Sequence, residues 1–146
     1  MSDRRIIVDT GAIYAFVTRS DPHHEAAESF VRAWLERSGL FVLPDVVFAE
    51  TMTLFKARLG TGIALRVGRE LRRNPAYLWI PLGVEAERDT WALFQRYDDK
   101  EWSYTDCAIL TLAQREKVPR VFAFDRHFDQ MPDIERLPAT KRDRRR

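Results

Sequence analysis

Four apolar runs of four or five residues alternate with segments long enough for two or more helical turns, and that alternation restricts the chain to one class of fold. The runs are Arg5–Val8, Leu40–Leu43, Tyr77–Ile80 and Arg120–Phe124, each rich in β-branched or aromatic residues and so expected as a strand. Ile134–Leu137 is a candidate fifth. Between them, helices are expected over Ala12–Arg19, His23–Arg37, Pro44–Gly60, Thr61–Arg73, Val84–Tyr97 and Ser103–Lys117. The second has Asp21 as an N-cap signal, Pro22 at its first position and Gly39 as its stop; Asn74-Pro75 ends the fourth. Strands separated by helices need right-handed crossovers, hence a mainly parallel sheet covered on both faces. The expected fold is α/β, a three-layer α/β/α sandwich, with one domain over 1–140 and a basic tail over 141–146.

A length of 146 residues supports one core of this kind. No apolar run is long enough for a membrane span, and Met1 to Asp9 contains no signal-peptide apolar region. The single Cys107 excludes an internal disulfide framework and is expected as buried packing; with the missing leader it places the chain in the cytoplasm. Of 24 basic residues, 20 are Arg, whose planar fork suits phosphate. A codon bias toward Arg gives the same count, so a nucleic-acid partner is permitted rather than established.

Ligands of open parallel sheets collect beyond the carboxyl ends of the strands. Asp9 follows the first expected strand and Asp125 the fourth, which puts both on one rim. Each is also open to reading as a turn or N-cap aspartate. Glu50 lies in Val46–Phe55, apolar nearly all round and therefore expected to be buried, where a lone carboxylate is costly. A cation ligand resolves that conflict; so does a narrow polar stripe with Thr53, or an Arg partner. Asp106 stands three residues after Ser103, the spacing of a capping box, and the N-terminus of that helix can face the same rim. Carboxylates gathered there would repel without a counter-charge. Oxygen ligands suit Mg²⁺ or Mn²⁺, no Cys/His cluster suggests structural zinc, and Mg²⁺ commonly works on phosphates. The chemistry natural to such a set is phosphodiester hydrolysis.

The ordered set Val8-Asp9-Thr10, the Glu50 helix, Ser103-Tyr104-Thr105-Asp106 and Phe124-Asp125-Arg126-His127-Phe128 resembles a PIN domain over nearly the whole chain. In size and layout it is most similar to the VapC-type toxins of prokaryotic toxin–antitoxin pairs. The resemblance implies a Mg²⁺-dependent endoribonuclease in which Asp9, Glu50, Asp106 and Asp125 bind metal. Thr10 and the hydroxyls of Ser103 or Thr105 would support them. It further implies a homodimer and a cognate antitoxin whose C-terminal segment occupies the acidic groove. One position departs: Ala123 stands two residues before Asp125, where PIN domains often carry Thr or Ser.

Arg66, Arg69 and Arg73 recur at helical spacing, either as an RNA-contact stripe or as a solvated face. His23-His24 reads as surface or packing, His127 as a turn residue, and Trp79, Trp91 and Trp102 as core or interface. The competing function is a non-catalytic RNA-binding or scaffold module, for which a full set of acids has no use. A phosphotransfer domain fits poorly, because Gly11 occupies the place of the second Asp of an aspartyl phosphatase and Ile80-Pro81-Leu82 offers no phospho-accepting Asp.

Overall fold

Ile6, Ile7 and Val8 are almost wholly buried because the strand that carries them lies in the middle of the sheet. The computed structural model describes residues 3–139; the expected tail over 141–146 lies outside them. The strands are β1 (Arg5–Val8), β2 (Leu40–Pro44), β3 (Tyr77–Ile80), β4 (Arg120–Phe122) and β5 (Glu135–Leu137). They form one sheet in the order β3-β2-β1-β4-β5, with every pairing parallel. Six helices flank it among the described residues: α1 (Thr10–Val17), α2 (His24–Glu36), α3 (Asp45–Leu59), α4 (Thr61–Arg73), α5 (Gly83–Arg96) and α6 (Tyr104–Glu116). A 3₁₀ turn, Arg126–Gln130, leads into β5. No helix among the described residues is long and apolar enough to cross a membrane.

The central strands read as continuous apolar runs because both of their faces are covered. β3 behaves differently. It is one of the two edge strands, and Leu78 and Trp79 remain exposed on it although the run Tyr77–Ile80 is as apolar as the others. Trp79 packs against Phe48, and the Arg72 guanidinium lies 4.8 Å from its ring centroid. Trp91 is exposed as well, whereas Trp102 is buried and donates its indole N–H to Gln130 at 3.0 Å. Cys107 is buried, as expected.

Two details of α2 differ from the sequence expectation. Asp21 is not its N-cap: the helix begins at His24, and the Asp21 carboxylate instead accepts the His23 N–H at 2.8 Å in the loop before it. The helix also ends sooner, at Glu36, and Ser38 rather than Gly39 carries the positive φ, 59°, of the turn that follows. Glycine is required for space. A Cβ at position 39 would stand 2.4 Å from the Trp34 indole nitrogen. That ring is buried and held by a 3.1 Å hydrogen bond to the Leu40 carbonyl, so it cannot swing away. Gly39→Ala is therefore expected to cost about 2–3 kcal/mol, at the upper end for overpacking, read as a lowered denaturation midpoint.

Candidate functional site

Adjacent parallel strands set the site. Val8 at the end of β1 is paired with Phe122 at the end of β4, so the chain leaves both strands at one rim. Asp9 follows directly, and its backbone N–H donates to the Phe122 carbonyl at 3.0 Å. It occupies the N-cap position of α1, but its carboxylate makes no capping hydrogen bond. A capping Asp spends its oxygens on the helix amides two or three residues on; those of Asp9 meet only the adjoining Thr10 amide. The residue is only 7% exposed, and its side chain has no ion-pair partner among the described residues. Burial first, then the charges of Asp106, Glu50 and Asp125, push its carboxyl up to about 8, while the Thr10 amide pulls weakly the other way.

Asp106 comes from the first turn of α6. Ser103 caps that helix: its hydroxyl accepts the Asp106 N–H, and its own N–H donates to Asp106 Oδ2, each at 3.0 Å. The expected capping box is present, and it aims the carboxylate at the rim. Burial raises the Asp106 carboxyl and Asp125 adds to the rise, against the opposing bonds from the Ser103 amide and His127. Asp125 is exposed at the head of the 3₁₀ turn, where its Oδ1 accepts the His127 N–H at 2.8 Å. It is thus a turn residue that also faces the other acids.

Glu50 corrects an expectation. The helix that carries it is not buried all round: α3 turns Val47, Thr51 and Phe55 inward and leaves Glu50 exposed. The apolar residues that made the segment look buried are spent on α4, where Gly68 lies under Met52 and Phe48. Glu50 nonetheless lies near Asp9, since its charge is one of the three that raise that carboxyl. Its neighbour Thr51 explains the placement. The Thr51 hydroxyl, fully buried, lies 3.4 Å from that of Thr10 and ties α3 to the start of α1.

The supporting hydroxyls are used differently from the expectation. Thr10 meets Thr51 rather than an acid, Ser103 supports Asp106 mainly through its backbone N–H, and Thr105 makes no hydrogen bond to the carboxylates among the described residues. Arg66, Arg69 and Arg73 are exposed on α4, but Arg66 borders a groove with Ile13 and Tyr77 while Arg69 borders another with Phe48 and Met52. They do not line one groove together. Ala123 is fully buried, its N–H bonded to the Leu137 carbonyl at 3.0 Å.

The residue that sequence reasoning undervalued is His127. Its turn role is real, yet its ring also reaches the acids: Nδ1 lies 3.1 Å from Asp106 Oδ2 and 3.3 Å from Asp125 Oδ1. One donor atom from each of Asp106, Asp125 and His127 falls within 4.8 Å of the others. Together with a buried Asp9 that has no counter-charge, this donor set fits a hard divalent cation.

The family model of the PIN domain matches residues 6–134. The chain belongs to the PIN-domain family. Among curated relatives, this PIN domain is 24% identical over 133 residues to the 23S rRNA-specific endonuclease VapC20 of Mycobacterium tuberculosis, covering 91% of this chain and 98% of that protein. It is 28% identical over 130 residues to Ribonuclease VapC26 of the same organism, covering 88% and 93%. The crystal structure of VapC20, described as a sarcin-ricin loop cleaving toxin, superposes with a TM-score of 0.74 at 24% identity over 82% of this chain and 89% of that one. A toxin–antitoxin complex from Klebsiella pneumoniae matches with a TM-score of 0.62 at 17% identity, covering 89% and 95%. At such identities the structural likeness establishes the shared fold.

Proposed function

We propose that this PIN domain is a Mg²⁺-dependent endoribonuclease, with Mn²⁺ as an alternative ion, and that it is the toxin of a toxin–antitoxin pair. The observation that carries the reading is the Asp9 carboxylate: buried, without an ion-pair partner among the described residues, and raised first by that burial and then by three acids from distant segments. Such an arrangement is unfavourable unless a cation completes it. A scaffold has no reason to keep it.

In this reading Asp9 and Asp106, each placed by a helix start, would hold the ion together with Asp125 from the 3₁₀ turn. The bound ion would supply a water of lowered pKa and neutralise charge on the scissile phosphate. Glu50, exposed on α3 and close enough for its charge to raise Asp9, would be a further ligand of that ion. The exposed arginines of α4 offer phosphate contacts beyond the reacting centre. The names of the two mycobacterial relatives support RNA as the substrate class.

The solved toxin–antitoxin neighbour supports an antitoxin as partner. A homodimer completes the reading, with exposed Val84, Trp91 and Phe94 on α5 as candidate contact residues. To test the activity, purified protein is incubated with total cellular RNA in Mg²⁺ or in EDTA. Discrete fragments are expected with Mg²⁺ and none with EDTA; cleavage that persists in EDTA would overturn the reading.

A further inference from the structure

We infer that His127 is a direct nitrogen ligand of the same divalent cation, making the centre a mixed carboxylate–imidazole site that binds Mn²⁺ more tightly than Mg²⁺. This rests on the metal-dependent reading above and goes beyond it by adding a ligand and a metal preference.

Asp125 accepts the His127 N–H at 2.8 Å, which fixes the backbone of the turn relative to one carboxylate. Phe128 is fully buried on the next position and fixes the direction in which the turn faces. The imidazole is thereby held against the acids. Its Nδ1 stands 3.1 Å from Asp106 Oδ2 and 3.3 Å from Asp125 Oδ1. A ring nitrogen facing two carboxylate oxygens is satisfied either by carrying a hydrogen between them or by sharing a cation with them. Neighbouring ligands of an octahedral ion bound at about 2.1 Å stand about 3.0 Å apart, so the observed spacings already match two edges of such a shell.

A second observation indicates an ion rather than a hydrogen alone. Asp9 is 7% exposed, its carboxylate has no ion-pair partner among the described residues and meets only the Thr10 amide, and among the acids it is the charge of Asp106 that raises it most. A hydrogen on His127 answers Asp106 and Asp125 but leaves Asp9 uncompensated. One cation answers all three. Imidazole nitrogen favours transition metals over Mg²⁺, which keeps to oxygen and water, so exchanging one oxygen for Nδ1 tilts the site toward Mn²⁺.

The chain has three histidines, so the test is clean. Mn²⁺ is added to the intact protein and to His23→Gln and His127→Gln variants, and nitrogen coupling to the bound ion is read by electron spin-echo envelope modulation. Coupling to ¹⁴N is expected in wild type and His23→Gln, shifting to the ¹⁵N pattern when histidine is isotopically labelled, and absent in His127→Gln. Titration of the same samples is expected to show Mn²⁺ affinity reduced about tenfold or more by His127→Gln, with a smaller loss for Mg²⁺. Bound Mn²⁺ without nitrogen coupling in the wild-type protein would overturn the inference and leave the nuclease reading intact. Failure of Mn²⁺ to bind at all would overturn both. If His127→Gln does not fold, histidine coupling that persists in both His23→Gln and His24→Gln assigns the nitrogen to His127, and its loss in either would overturn the inference.

Discussion

Asp9→Asn is expected to cut RNA cleavage by roughly a hundredfold or more while making the metal-free protein more stable at pH 8. The two effects have one cause. Asp9 is buried beside three other acids, so its ionised form is opposed both by lost solvation and by like charge. A shift from 3.8 to about 8 corresponds to on the order of 5 kcal/mol of bias against the charged form. The amide has similar size and no charge, so substitution removes the repulsion; the buried amide still needs partners, which leaves a net gain of roughly 2 kcal/mol. The same change removes the ligand at the centre of the cluster. Cleavage should fall by roughly a hundredfold or more, as when a preorganised charge-stabilising group is deleted. Asp106→Asn separates the effects in another way. Its amide oxygen can still accept the Ser103 N–H, so the cap of α6 survives while a ligand is lost. Folding close to wild type with no detectable cleavage is the expected result.

Stability should also depend on pH in a direction opposite to that of ordinary salt-bridged carboxylates. The carboxyl of Asp9 is raised in the folded state, so the folded protein holds a proton that the unfolded chain has released. Its contribution is fully present below about pH 4 and is lost progressively as pH rises toward 8. Asp106, also raised, acts in the same direction. A bound divalent cation replaces that proton as the counter-charge and stabilises the folded form by mass action. Mg²⁺ is therefore expected to raise the melting temperature by several degrees at pH 8, and by little or nothing at pH 5. Thermal scans across that range check it.

Much of the architecture was legible because the local signals agree with one another. The bounds of α4 and β3 are those expected from Gly60, Asn74-Pro75 and Pro81, and the convergence of Asp9 with Asp125 follows from β1 and β4 being neighbours in a parallel sheet. Other features depend on what packs against what. The exposure of Glu50 could not be read from Val46–Phe55, because that segment divides its apolar residues between the interior and α4. The reason for Gly39 lies in the buried Trp34 ring rather than in a backbone angle. His127 looks like a turn residue in any local window; only the meeting of the 3₁₀ turn with α6 places its ring on Asp106. β4 ends at Phe122, short of the apolar Ala123-Phe124, as the chain bends toward the turn that presents Asp125.

The central claim is that carboxylates from four segments form a cage that a divalent cation completes. Melting curves of wild type and Asp9→Asn, each at pH 8 with Mg²⁺ or with EDTA, test it most directly. The account predicts a large Mg²⁺-induced rise for wild type, and for the variant a higher metal-free melting temperature with almost no response to the ion. Equal responses in the two proteins, or none in wild type, would contradict it.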